Sequence, residues 1–92
     1  MVAMIARHVR VIGRVQGVCY RAWAHDQADA LRVTGWIRNC PDGRVEAHVE
    51  GDATAVEQMI ERLRNGPPQA RVEDVRMWDV EPCDFDDFEV RH

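Results

Sequence analysis

The residues best suited to chemistry lie in one run, Gly13-Arg14-Val15-Gln16-Gly17-Val18-Cys19-Tyr20-Arg21. β-Branched residues precede it and a helix-like pattern follows it. The run therefore reads as a strand end passing into a helix start, where unpaired backbone N–H groups and the helix dipole favour an anion. Gly17 lets the backbone approach a ligand with no Cβ in the way. Arg21 opens the helix, and its planar fork can hold two phosphate oxygens at once. Consecutive amides with one arginine make a phosphate nest. No Gly-Lys-Ser/Thr follows, so this is not a Walker loop. A strand–helix connector with a glycine for the turn and a solvated arginine is the plainer alternative for these residues taken alone.

The elements that must position this loop follow from periodicity. Arg7 to Val15 alternates at Val9 and Val11 and is rich in β-branched residues, which predicts a strand. Ala24, Ala28 and Leu31 at i, i+4 and i+7, with Trp23 beside them, mark one face of a helix starting at Arg21. Gly35 is expected to break that helix, and Trp36 to Cys40 to form a second strand, turned at Pro41-Asp42-Gly43. In the third strand Val45, Ala47 and Val49 are expected inward, with Glu46, His48 and Glu50 facing water. Asp52 can cap a second helix whose stripe is Val56, Met59, Ile60 and Leu63, stopped by Asn65-Gly66-Pro67-Pro68. Runs near 72–80 and 88–91 close the chain. The order β-α-β-β-α-β plus a short closing strand predicts an α+β, ferredoxin-like βαββαβ sandwich: an antiparallel sheet with two helices on one face.

Two stretches resemble a known family. Gly13-Arg14-Val15-Gln16-Gly17-Val18-Cys19-Tyr20-Arg21 is similar to the acylphosphatase phosphate loop, G-x-V-Q-G-V-x-[FY]-R. Gly35-Trp36-Ile37-Arg38-Asn39 with Asp42-Gly43-Arg44-Val45-Glu46 resembles the second signature, G-W-[VI]-x-N-x-x-D-G-x-V-E. The likeness runs on through Gly51, the helix stripe, Gly66-Pro67 and Phe88-Glu89-Val90-Arg91. It covers nearly all the chain after Ala6, so residues 1–6 are expected as a short extension and 7–92 as an acylphosphatase-like domain. The resemblance implies that Arg21 binds the phosphoryl group and that Asn39 orients the attacking water. It implies further that backbone amides of Gln16, Gly17, Val18, Cys19 and Tyr20 hold phosphoryl oxygens. Position 20 carries tyrosine where phenylalanine is common, and position 92 histidine where many members carry tyrosine. Neither is expected to touch Arg21 or Asn39.

The implied reaction is metal-independent hydrolysis of an acyl phosphate to a carboxylate and inorganic phosphate. The leaving carboxylate has a conjugate-acid pKa of about 4, so no strong general acid is required. Phosphoryl transfer is mostly positioning and electrostatic stabilisation. Neutralising charge on the equatorial oxygens falls to Arg21 and the amides, and placing a water in line to Asn39; an amide is too weak a base to take its proton.

Composition bounds the rest. Ninety-two residues with 46% hydrophobic and 30% charged side chains make one soluble domain, and a net charge of −4 argues against a nucleic-acid partner. The expected partners are a small acyl phosphate and inorganic phosphate, with no membrane, in a monomer. Cys19, Cys40 and Cys83 form no CxxC pair and are odd in number, which fits a reducing, cytoplasmic compartment. His8, His25, His48 and His92 lack ligand spacing and are read as surface histidines; no metal and no cofactor are expected. Trp36 and Trp78 are read as packing residues, because the aromatic pattern of an RNA-binding sheet is missing. Cys19 has two readings, a small packed hydrophobe or a thiol acidified by loop amides and Arg21. The rival for the whole chain is a non-catalytic anion-binding module on the same scaffold. Asn39, which pure binding would not need, favours the enzyme.

Overall fold

The computed structural model describes residues 3–92. Its elements are β1 (Met4–Arg14), α1 (Tyr20–Leu31), β2 (Thr34–Asn39), β3 (Val45–Asp52), α2 (Ala53–Asn65), β4 (Arg71–Val80) and β5 (Phe88–Arg91). β1 begins at Met4, before the valine alternation becomes visible, because Met4, Ile5 and Ala6 pair with Asp52, Gly51 and Glu50 of β3. Of the six residues expected as an extension, 4–6 are therefore in the sheet, and the first two lie outside the described residues.

The sheet order is β4-β1-β3-β2-β5. β1 runs antiparallel to β3 and β4, and β2 antiparallel to β3. The closing strand departs from the expected antiparallel sheet: β5 lies parallel to β2, Ile37 opposite Val90, so the sheet is mixed. A segment returning from β4 at the far edge must cross the sheet, and it then enters beside β2 in the same direction.

One face carries the core. Val9 stands opposite Ala47 and Met77, and Ile37 opposite Ala47, so these strands present a common apolar surface. Ala24 and Ala28 of α1 and Val56, Met59, Ile60 and Leu63 of α2 close over it in a single cluster. The α2 stripe is the expected one, and its ends are as the residue types imply. The Asp52 carboxylate accepts from Thr54 N at 3.3 Å, and Gly66, at φ 68°, ends the helix with its N–H on Arg62 O. The turn at 41–43 also forms, Cys40 N donating to Arg44 O at 2.8 Å.

α1 stops differently from expectation. Arg32, not Gly35, takes the left-handed conformation (φ 58°, ψ 40°), and Val33 N returns to Ala28 O at 2.9 Å. Gly35 belongs to β2, where a Cβ would sit 1.8 Å from the backbone oxygen of His48. It is required by close strand approach, which in the sequence looks the same as a helix stop.

The second face corrects the reading of β3. Glu46, His48 and Glu50 do point away from the core, yet they are only 7%, 6% and 1% exposed. Arg38 and Arg10 cover Glu46, and the 81–87 connection covers the other two. Glu50 accepts from His48 Nε2 at 2.6 Å and from the backbone N–H groups of Cys83 and Asp84, both at 2.9 Å. Phe85 sits edge-on to His48, with ring centroids 5.2 Å apart, and Trp36 stacks with the same ring at 6.5 Å. Buried charge is tolerated here because each carboxylate is hydrogen-bonded.

Candidate active site

The expected loop connects β1 to α1, and its backbone is unusual. Gly17 (φ 72°) and Cys19 (φ 62°, ψ 25°) are both left-handed, with Val18 between them. Alternation of left- and right-handed residues turns successive N–H groups toward one concave side. Beyond its immediate chain neighbours, no atom lies within 4 Å of a Cβ built at Gly17, so the positive φ, not crowding, is what asks for glycine there. Cys19 is the N-cap residue of α1, makes no side-chain capping bond, and no acidic residue occupies the first turn. α2, capped by Asp52, provides the contrast. The positive end of α1 thus has neither a side-chain cap nor a first-turn carboxylate.

A cleft of about 250 Å³ opens at this point, lined by Val15, Gly17, Cys19, Tyr20, Arg21, Ala22, Asn39, Val90 and His92. Arg21 and Asn39, separated by a helix and a strand in the chain, meet in it. Asn39 reaches it because it follows Ile37 by two residues on the core-facing side of β2, at the strand end nearest the loop. Cys19 is exposed, which removes the packed-hydrophobe reading.

Two of the expected loop residues do not line the cleft. Val18 is buried in the core. The Gln16 side chain turns toward the β2–β3 turn, where Nε2 donates to Cys40 O at 2.8 Å and to Arg44 O at 2.9 Å. It ties the loop to the turn that follows Asn39. Tyr20 faces inward, donating its hydroxyl to Leu63 O at 2.6 Å; burial pushes its pKa well up, and it stays neutral. This bond gives the tyrosine at position 20 a partner on α2 that phenylalanine could not have.

Position 92 is a correction. Arg21 Nη1 donates to Arg91 O at 2.6 Å and lies 3.4 Å from His92 Nδ1. The closing strand therefore touches the arginine directly. Val15, Ala22, Val90 and His92 were not legible as cleft residues. The signal for the last two would have been the pairing partner of β5, which local pattern does not encode.

Behind Asn39, Arg38 pairs with Glu46 across β2 and β3, Nε to Oε1 at 3.0 Å, and His8 Nε2 donates to Oε2 at 3.0 Å. Burial pushes the Glu46 pKa up, but hydrogen bonds from Arg38, Cys40 and His8 outweigh it and bring it down to about 2. Burial and the neighbouring Glu46 raise the Cys40 thiol. Among the described residues, one His/Cys/Asp/Glu group has metal-ligand spacing: His48, Glu50 and Cys83 on the second face. It is separate from the cleft residues.

Fold and cleft together define a small α+β domain whose cleft is built on a strand–loop–helix turn. The acylphosphatase family model matches residues 7–90. An acylphosphatase of Anaeromyxobacter sp. strain Fw109-5 is 46% identical over 93 residues, covering all of both chains. The acylphosphatase structure from Coxiella burnetii superposes with a TM-score of 0.92 at 38% identity, over 96% of this chain and 93% of that one. That from Bacillus subtilis gives 0.93 at 31% identity, over 96% and 99%. The chain belongs to the acylphosphatase family, hydrolases of the carboxyl–phosphate bond of acyl phosphates.

Proposed function

We propose that the cleft between the 15–19 loop, Arg21 and Asn39 is where the acyl phosphate is hydrolysed, without a metal ion. The observation that carries this reading is the meeting of Arg21 and Asn39 at a nest of left-handed turns on an uncapped helix start. The loop amides and the Arg21 guanidinium receive the phosphoryl oxygens and balance the charge spread over them in the transition state. Asn39 hydrogen-bonds the attacking water and orients it, leaving the proton to another acceptor. The carboxylate departs unassisted because it is a weak base. Gln16 acts by position, holding the loop and the Asn39 strand end at a fixed separation.

The protein acts as a cytoplasmic monomer on small diffusible substrates. Its net charge of −4 supports the exclusion of nucleic acid, and no helix among the described residues is long and apolar enough to cross a membrane. Benzoyl phosphate hydrolysis after dialysis against EDTA tests the proposal: turnover is expected to persist, and inorganic phosphate to inhibit competitively. Activity lost to EDTA and restored by Mg²⁺ would overturn the metal-free mechanism, and noncompetitive inhibition would put the anion site elsewhere.

A further inference from the structure

The phosphate cleft does not end at Arg21. A second depression of about 390 Å³ adjoins it, lined by Ala22, His25, Asp26, Phe88 and Val90. Ala22 and Val90 belong to both. The helical spacing explains the continuity. His25 follows Arg21, and Asp26 follows Ala22, by four residues, so each pair stacks along one flank of α1. β5 runs beside that flank, and Phe88 and Val90 share a face because they are two apart in a strand. The result is a trough between α1 and the sheet-edge strand β5, leading away from the cleft.

Taking the phosphate assignment above as its basis, we infer that this trough is the subsite for the acyl group and that it selects uncharged apolar acyl groups over anionic ones. Its floor is apolar: Phe88 is buried, Val90 half-buried, and Ala22 keeps the junction open by having the smallest side chain. Its rim is acidic. His25 Nδ1 lies 3.7 Å from an Asp26 carboxylate oxygen and 3.6 Å from one of Asp29, and the lining includes no lysine or arginine. Arg21, which lines the adjoining cleft, is held for the phosphoryl group. An aromatic or aliphatic acyl chain gains apolar contact along Phe88 and Val90, and that remote contact is available to lower the barrier at phosphorus. A second carboxylate on the acyl chain would instead be placed against Asp26, beside a His25 ring that already faces the Asp26 and Asp29 carboxylates. Discrimination of this kind works by repulsion as much as by attraction.

The test compares kcat/KM for benzoyl, acetyl and succinyl phosphate in the wild-type protein, in Asp26→Lys and in Glu73→Lys. Asp26 is an exposed helix position, so its variant is expected to fold. Glu73 lies on β4 at the opposite sheet edge from β5 and carries the same change in net charge. In the wild-type protein benzoyl phosphate is expected to be the best of the three and succinyl phosphate the worst. Asp26→Lys should raise the succinyl-to-benzoyl ratio about fivefold, the size of a surface charge reversal, and the gain should shrink with added salt. Glu73→Lys should leave the ratio unchanged. A ratio that stays constant in Asp26→Lys, or moves equally in both variants, overturns the subsite while leaving hydrolysis in place. A wild-type protein that hydrolyses none of the three overturns the proposed function and the subsite with it.

Discussion

Arg21 and Asn39 share a cleft but differ in what holds them, and that difference sets what each can do. Arg21 is steered by the Arg91 carbonyl and His92, which orient one nitrogen of its fork and leave the rest of the guanidinium for an anion. Asn39 sits at a strand end beside the turn that Gln16 ties down. If Arg21 grips phosphate in ground and transition states alike, Arg21→Ala should lose phosphate binding and turnover together, the latter by about 10²–10³-fold or more. Arg21→Lys should fail comparably, since a point charge cannot reproduce a two-oxygen grip. Asn39→Ala should lower kcat about 10²-fold while leaving the phosphate inhibition constant nearly intact. Thermal shift separates the two: phosphate at 100 times its Kd stabilises the folded state by about 2.7 kcal/mol. That shift is expected in Asn39→Ala and not in Arg21→Ala. Normal hydrolysis by Asn39→Ala would end its water-positioning role.

At the scale of elements, the shape of the loop depends on two features besides Arg21 and Asn39. Gly17 supplies a positive φ, and a side chain there costs about 1–2 kcal/mol of left-handed strain. Gln16 bridges the loop to the β2–β3 turn through two backbone carbonyls. Gln16→Ala removes both bonds, and the expected loss is about 1–2 kcal/mol in denaturant-measured stability. Because the bridge spans the two halves of the site, kcat should fall more than phosphate affinity. Equal falls in both would mean that the bridge shapes only the nest.

Across the whole molecule the sheet has two covered faces, one by helices and one by arginines and the 81–87 connection. The second is a charged layer and makes stability depend on pH. Glu46 has a folded-state pKa of about 2 against an ordinary 4.5. A depressed carboxyl contributes stability that is complete above about pH 4.5 and disappears as pH falls toward 2. Glu50 is shifted the same way: burial raises it, but the Cys83 and Asp84 amides and His48 lower it further. Wild-type stability should therefore decline steadily through that window. Glu46→Gln should be about 1–3 kcal/mol less stable at pH 7 and nearly equal to wild type at pH 2, measured by urea unfolding across the range. A variant deficit that stays constant down to pH 2 would show that shape, not charge, matters at position 46.

Local features of the sequence determined most of the architecture. The α2 stripe, the Asp52 cap, the Gly66 stop and the 41–43 turn each depend on residues within a few positions of one another, where period and conformational preference act directly. That Arg21 and Asn39 belong together was expected for a different reason: the loop and strand-two stretches resemble the two signatures of the family, and the structure brings both residues to one cleft. Tertiary structure alone decided what covers β3 and where β5 goes. Alternation shows that Glu46, His48 and Glu50 share a face, but not whether water or Phe85 and Arg38 will lie against it. Nothing near residues 88–92 states that they will pair with β2 and present Val90, the Arg91 carbonyl and His92 to Arg21. Those contacts span about seventy residues of chain, and only the packed sheet, by fixing which strands become neighbours, brings them into being.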